Sequence, residues 1–377
     1  MALLRALLRL LLLLLPFSAF AQQVPSPPPI AARAYVLLDY NSGGQLVAHN
    51  PNQRIEPASL TKLMTAYITF QALKQKTLRS DQIVPVSPRA WKSEGSRMFI
   101  EPNKPVAVEE LIKGMIVQSG NDACVALAEA IAGSEEAFAQ MMTREAKRLG
   151  MNNTNFMNAT GLPHAQHYTT AYDLSLLAVA IIRDFPEYYP YYALKEYRYN
   201  NITQSNRNRL LWVDPTVDGM KTGYTEGAGY CLVTSARRGS RRLVSVVLGA
   251  NSEAARATES QKLLNYGFQF YDSAKLYDKD QAVSTVKVWK GSSNTVNAGF
   301  PYDLYVSIPK GANDKLKATV ETKQPLLAPI AAGQKIGVLK VQLDGKPYGE
   351  FPVVALEQVP LAGILGRGWD SLRLLFK

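Results

Sequence analysis

The sequence predicts an α+β fold, with helices packed against one antiparallel sheet, followed by a smaller all-β unit. Three observations carry this reading. Apolar residues between 59 and 183 recur at helical spacing, those between 229 and 250 alternate with period two around a turn, and from about residue 275 short β-like runs take over. The 377 residues are 47% hydrophobic and 19% charged, which allows two or three domains with a sizeable core. That composition excludes a disordered chain, a collagen and a small disulfide scaffold.

In chain order, the first element is a leader. Arg5 and Arg9 precede the apolar run 10–15, and Ala19-Phe20-Ala21 supplies a small-x-small cleavage pattern, so residues 1–21 read as a secretory signal peptide. The run is well short of the ~20 residues that span a bilayer, and Pro16 interrupts it. Without Arg5 and Arg9, 40 basic side chains face 31 acidic ones, a charge of +9. For an exported protein with no Lys/Arg run interleaved with aromatics, this charge suits a membrane surface or an anionic wall polymer and not a nucleic acid. Cys124 and Cys231 carry no framework signal and read as buried free thiols.

After a Pro-rich stretch over 22–29, residues 34–39 and 45–49 read as strands joined by the turn Asn41-Ser42-Gly43-Gly44. Leu60, Leu63, Met64, Tyr67 and Ile68 place a helix over 59–75. A helical pair follows at 108–117 and 122–132, joined by 118–121, with Cys124, Leu127, Ala128 and Ile131 on one stripe. Further helices are predicted at 135–149 and 170–183, and the Tyr-rich stretch 188–199 reads as packing surface. Residues 229–236 and 242–250 form a hairpin around Arg238-Gly239-Ser240, and 253–266 returns to helix. Strands at 283–289, 302–308, 317–321, 335–343 and 351–356, with a turn at Asp344-Gly345, make the second unit. In the tail, Ile364, Leu365, Trp369, Leu372, Leu375 and Phe376 stand among Arg367, Arg373 and Lys377. A helix over 361–377 spans about 25 Å, too short and too charged to cross a bilayer, and reads as an amphipathic helix lying in a membrane interface.

The chemistry begins at Ser59-Leu60-Thr61-Lys62. A separation of three places the hydroxyl and the amine on one helix face, about a turn apart. The neighbouring apolar stripe desolvates Lys62 and makes its neutral form available as a base, which a serine needs to become a nucleophile near neutral pH. N-terminal amides of the helix lie near any developing oxyanion. Ser119-Gly120-Asn121 sits at an interhelical turn, and Lys221-Thr222-Gly223 precedes the strand at Gly229, where Gly223 has no side chain to block a ligand at the strand edge.

These elements occur in the order and rough spacing of the Ser-x-x-Lys, Ser-x-Asn and Lys-Thr-Gly signature. With the stretches PASLTKLMTAY, QSGNDACVALAE, NRNRLLW and VDGMKTGYTEGAGYCLV, the mature chain resembles the low-molecular-mass penicillin-binding proteins, D-alanyl-D-alanine carboxypeptidases of the penicillin-binding protein 5 and 6 type. The resemblance implies a β-lactamase/transpeptidase-like catalytic domain over 22–274, an all-β sandwich-like stalk over 275–357 and the membrane-surface helix over 358–377.

The resemblance further implies Ser59 as the acylated nucleophile, Lys62 as general base and Ser119 as proton relay, with Asn121 bonding the substrate's amide oxygen. Ser59 and Tyr224 N–H groups would form the oxyanion hole, and Lys221 would hydrogen-bond Ser119. Thr222 and Arg256 would hold the terminal carboxylate, which a guanidinium fork suits. The substrate peptide would add along the edge of the Lys221 strand next to Gly223. The implied partners are peptidoglycan stem peptides and β-lactam inhibitors, with no metal or cofactor, in a periplasmic enzyme peripheral on the outer face of the inner membrane.

A Ser/His/Asp hydrolase is disfavoured, since only His49, His164 and His167 exist and no Gly-x-Ser-x-Gly elbow surrounds a serine. His164 and His167 lack the i, i+4 metal spacing and read as solvated loop residues. A class A β-lactamase would need a Glu-x-x-Leu-Asn string between the second and third motifs, which is absent. A D,D-endopeptidase shares the motifs, and a wall-binding scaffold would not require them intact. Residues 93–98, with Glu94 and Arg97, are expected to line the cleft.

Overall fold

The computed structural model describes residues 24–375, so the proposed signal peptide and the tail residues Phe376 and Lys377 lie outside the described residues. The chain opens with strands β1 (Ala34–Asp39) and β2 (Gln45–His49). A 3₁₀ turn, Ala58–Thr61, leads into helix α1 (Lys62–Lys74), so the helix expected from residue 59 tightens over its first turn. Helices α2 (Val108–Val117), α3 (Asn121–Ala132), α4 (Glu135–Arg148) and α5 (Ala171–Asp184) follow, the last two N-capped by Ser134 and Thr170.

Strands β3 (Val217–Thr225), β4 (Gly229–Arg238) and β5 (Arg241–Ala250) complete an antiparallel sheet of order β2-β1-β5-β4-β3, which leaves β3 on an edge. Alternation along β5 explains why both faces are covered. Val244, Val246 and Leu248 join the large core with α1, α3 and α5, while Leu243 and Val247 pack with Leu263 and Leu264 of helix α6 (Glu253–Phe270). The Tyr-rich stretch supplies Tyr189 and Tyr192 to the core as expected, and also contributes a two-stranded ribbon, Glu196–Tyr199 with Ile202–Ser205.

Helix α6 runs directly into β6 (Tyr271–Tyr277), which pairs with β9 (Leu304–Pro309). The remaining strands are β7 (Ala282–Trp289), β8 (Thr295–Gly299), β10 (Leu316–Thr322), β11 (Leu326–Leu327), β12 (Lys335–Leu343) and β13 (Lys346–Ala355). They form a sheet of order β10-β12-β13-β8-β7-β11 around its own core, which includes Phe300, Ile336, Leu339 and Val353. Ser42 and Ser307 hydroxyls meet at 2.6 Å between the two units. Helix α7 (Ile364–Leu374) closes the described chain, tethered where the Asp370 carboxylate accepts from the Lys290 N–H at 2.6 Å.

Candidate active site

Ser59 lies within the 3₁₀ turn and Lys62 opens α1. The Lys62 Nζ donates to Ser59 Oγ at 3.0 Å and to the Thr160 carbonyl at 2.5 Å. Lys62 is only 1% exposed, and this burial lowers its pKa to about 8, with Arg207 pushing the same way and Cys124 and Asp122 opposing. The pairing expected from a spacing of three is therefore present, and the desolvation is complete.

The second motif is the joint between α2 and α3. Ser119 adopts a left-handed backbone, φ +66°, a conformation uncommon outside glycine and concentrated at functional sites. Its buried Oγ has no hydrogen-bond partner among the described residues. The Asn121 N–H donates to the Ser96 carbonyl at 2.7 Å and its side-chain amide to the Glu94 carbonyl at 2.6 Å, tying segment 94–96 to the second motif. Asp122, fully buried, accepts the N–H groups of Met98, Phe99 and Ile100, which fixes the continuation of that segment.

Lys221, Thr222, Gly223 and Tyr224 belong to β3 itself, so the third motif is part of an edge strand and does not merely precede one. Gly223 lines the cleft, and a Cβ there would stand 3.2 Å from Ala58 Cβ and Leu60 Cγ, so its missing side chain also admits the Ser59 turn. Burial, then Lys62 and Arg207, pushes the Lys221 pKa well down. The hydrogen bond implied between Lys221 and Ser119 is not made: the Lys221 Nζ donates to the Thr222 carbonyl at 3.2 Å and the Ser119 Oγ has no partner among the described residues.

A cleft of about 430 Å³ collects these elements. Ser59, Ser119, Asn121, Thr222, Gly223, Tyr224 and Arg256 line it, while Lys62 and Lys221 are buried. A larger hollow of about 520 Å³ beside Tyr40 and Arg242 holds none of the expected residues. Arg256 projects from α6 with its guanidinium carbon 5.7 Å from the Tyr230 ring centre. Gly95 and Ser96 line the cleft, as expected of segment 93–98.

Sequence reasoning assigned no role to two contributors. Arg207 lines the cleft between two buried asparagines, Asn206 and Asn208, whose bonds to the Leu194 and Gly219 carbonyls fix the local loop. The loop 158–162 supplies the Thr160 carbonyl, and at Gly161, φ +90°, a Cβ would fall 1.8 Å from the Ala58 carbonyl oxygen. The signals were an arginine flanked by asparagines and a glycine after Asn158-Ala159-Thr160. His167 is a correction: it is 2% exposed, paired with Thr61 Oγ1 at 3.1 Å through Nε2 and edge-on to Phe156, so it is a core residue under the Ser59 turn. Cys124 and Cys231 are free and buried.

An antiparallel sheet flanked by helices, with a serine–lysine pair facing a Ser-x-Asn turn and a Lys-Thr-Gly edge strand, defines the active-serine class that includes β-lactamases and penicillin-binding proteins. Residues 21–252 match the peptidase S11 family, D-alanyl-D-alanine carboxypeptidase, and 271–361 match the penicillin-binding protein 5 C-terminal domain. The chain is similar to D-alanyl-D-alanine carboxypeptidase DacC of Escherichia coli K12, 43% identical over 97% of this chain and 94% of that protein. It is also similar to DacA of the same strain, 40% identical over 94% and 90%. The solved structure of penicillin-binding protein 5 from Haemophilus influenzae superimposes with a TM-score of 0.85 at 42% identity, covering 89% of this chain and 99% of that one. Penicillin-binding protein D2 of Listeria monocytogenes in its ampicillin-bound form gives 0.60 at 29% identity over 65% of this chain and 100% of that one. The chain belongs to the D-alanyl-D-alanine carboxypeptidase family.

Proposed function

We propose that this enzyme removes the terminal D-alanine from peptidoglycan pentapeptides through an acyl-enzyme on Ser59. The observation that carries the reading is the 3.0 Å contact from Lys62 Nζ to Ser59 Oγ inside a site that desolvates the amine. Neutral Lys62 takes the hydroxyl proton while Ser59 Oγ bonds to the carbonyl carbon of the penultimate D-alanine. The N–H groups of Ser59 and Tyr224 stabilise the oxyanion. As the tetrahedral intermediate collapses, the C–N bond breaks and the departing D-alanine takes a proton relayed by Ser119. Water then cleaves the ester, returning the proton to the Ser59 oxygen. Asn121 bonds the substrate amide, the peptide extends along the edge of β3 past Gly223, and Lys221, Thr222 and Arg256 receive the terminal carboxylate. Substrate carboxylate beside Lys221 restores the charge that burial suppresses.

Exopeptidase action is favoured over endopeptidase action by Arg256, a buried guanidinium that suits a free chain end. β-Lactams acylate Ser59 by the same route. The protein works in the periplasm, with 22–274 as the catalytic unit and 275–357 as a stalk above the inner membrane. Helix α7 supports the membrane-facing end of this arrangement, because Ile364, Leu365, Trp369 and Leu375 are each more than half exposed. Among the described residues no helix is long and apolar enough to cross a membrane. The test is intact-mass measurement after reaction with benzylpenicillin, followed by peptide mapping. A stoichiometric adduct on the Ser59 peptide is expected; an adduct elsewhere, or none, overturns the reading.

A further inference from the structure

The carboxylate end of the cleft already contains a carboxylate. Glu253, the first residue of α6, lines the cleft with Arg256 and Arg207. Its Oε1 lies 3.3 Å from an Arg256 terminal nitrogen and 3.8 Å from Arg209 Nε. The two arginines differ in their setting: Arg256 is 5% exposed at its side chain and Arg209 is 65% exposed. The only other hydrogen bond of the Arg256 guanidinium among the described residues is a long one to the Gly223 carbonyl, 3.4 Å, so one weak acceptor and one shared carboxylate hold a buried cation that the aromatic face of Tyr230 also supports. Glu253 therefore stands where a chain-end carboxylate would have to pair, with a second cation at hand to take it over.

We propose that Glu253 is a specificity-determining residue, a built-in carboxylate that holds Arg256 in the free enzyme and cedes it to the substrate's terminal carboxylate by moving onto Arg209. This rests on the reading of Arg256 given under Proposed function. The exchange costs a neutral chain end more than an anionic one, because only a carboxylate replaces the charge that Arg256 loses. A purely structural role, a negative charge favouring a helix N-terminus, would show in stability alone.

Glu253→Gln tests the exchange. It should lower KM for an N-acylated peptide ending in D-Ala-D-Ala by about two- to five-fold, the range of a partly exposed ion pair, with a much smaller change in kcat. The gain should shrink as salt is added. The rate of benzylpenicillin acylation at low concentration should rise in parallel, since that inhibitor also carries a carboxylate. Arg209→Ala, which leaves the helix start intact, should do the opposite by leaving Glu253 on Arg256 alone, and its effect should vanish in the double variant. An unchanged or raised KM and an unchanged acylation rate in Glu253→Gln, or an Arg209→Ala effect that persists in the double variant, overturns the proposal. Should Glu253→Gln fold poorly, the Arg209→Ala acylation rate decides. Peptide turnover by the unaltered enzyme tests the functional reading separately, because the benzylpenicillin rates report on Glu253 whether or not the peptide is cleaved.

Discussion

Lys62 Nζ sits 3.0 Å from Ser59 Oγ while also donating to the Thr160 carbonyl, so the amine is held by one residue of its own turn and by one almost a hundred positions away. Its pKa of about 8 means that the neutral, proton-accepting form grows as pH rises through that value. Acylation by benzylpenicillin should therefore accelerate from neutral pH upward and level off above about pH 8 to 9. Lys62→Ala should flatten the profile and slow acylation by roughly 10² to 10⁴. Rapid-mixing kinetics across that range check both outcomes, and a flat profile in the unaltered enzyme would count against Lys62 as the base.

Asp122 accepts three consecutive backbone N–H groups, of Met98, Phe99 and Ile100, with no exposure to solvent. Asp122→Ala strands those donors and releases segment 94–100 from the cleft. A loss of roughly 3 kcal/mol or more is expected in urea unfolding, together with slower acylation. A variant as stable as the parent would show that the segment finds other acceptors.

Gly161 and Gly223 both press on the turn that carries Ser59, to different degrees. A Cβ at Gly161 meets the Ala58 carbonyl at 1.8 Å from a left-handed backbone, whereas one at Gly223 stands at 3.2 Å. Gly161→Ala should nearly abolish acylation and lower the Tm. Gly223→Ala should be the milder change, slowing acylation with a small loss of stability. Equal effects would contradict this geometry.

His167 is buried, and desolvation lowers its pKa to about 4. The unfolded chain takes up this proton near pH 6.5 while the folded one refuses it until about pH 4, so stability contributed by the neutral ring falls as pH drops through that window. The stability lost between pH 6.5 and 4 should be smaller in His167→Asn by about 3 kcal/mol in total. Denaturation midpoints at a series of pH values read this directly; identical slopes in parent and variant would show that His167 does not carry it.

For the tail, truncation after Gln358 or the double change Leu365→Glu with Trp369→Glu should greatly reduce sedimentation with anionic vesicles while leaving turnover of a soluble peptide intact. Undiminished sedimentation would place membrane contact elsewhere. Loss of turnover on deleting the whole β unit would likewise refute its reading as a stalk.

Much of the catalytic unit was legible because its signals are local. Strands at Ala34–Asp39 and Gln45–His49 and the helix Val108–Val117 follow directly from periodicity and turns. A strand at Lys221 follows from the resemblance but not from periodicity, since VDGMKTGYT in Val217–Thr225 is almost continuously buried and does not alternate. Strands Tyr271–Tyr277 and Thr295–Gly299 were missed too, one for its mixed, half-buried sequence and one for its shortness and small residues. His167 looked like solvated loop for a related reason: the cover that buries it comes from Thr61 and Phe156, neither of them a sequence neighbour.

The sequence by itself determined that Ser59 and Lys62 share a turn, because three residues of helical backbone leave the two side chains little other choice. It also determined the order of the three motifs and the change to short strands after residue 275. Only the tertiary structure decided that Lys62 is fully desolvated, that Thr160 and Arg207 enter the site, that the absent side chain of Gly223 makes room for the turn carrying Ser59, and that Glu253 sits against Arg256. Burial and electrostatic field at a point depend on every segment that packs around it. Those segments are brought together by the core and not by their spacing along the chain.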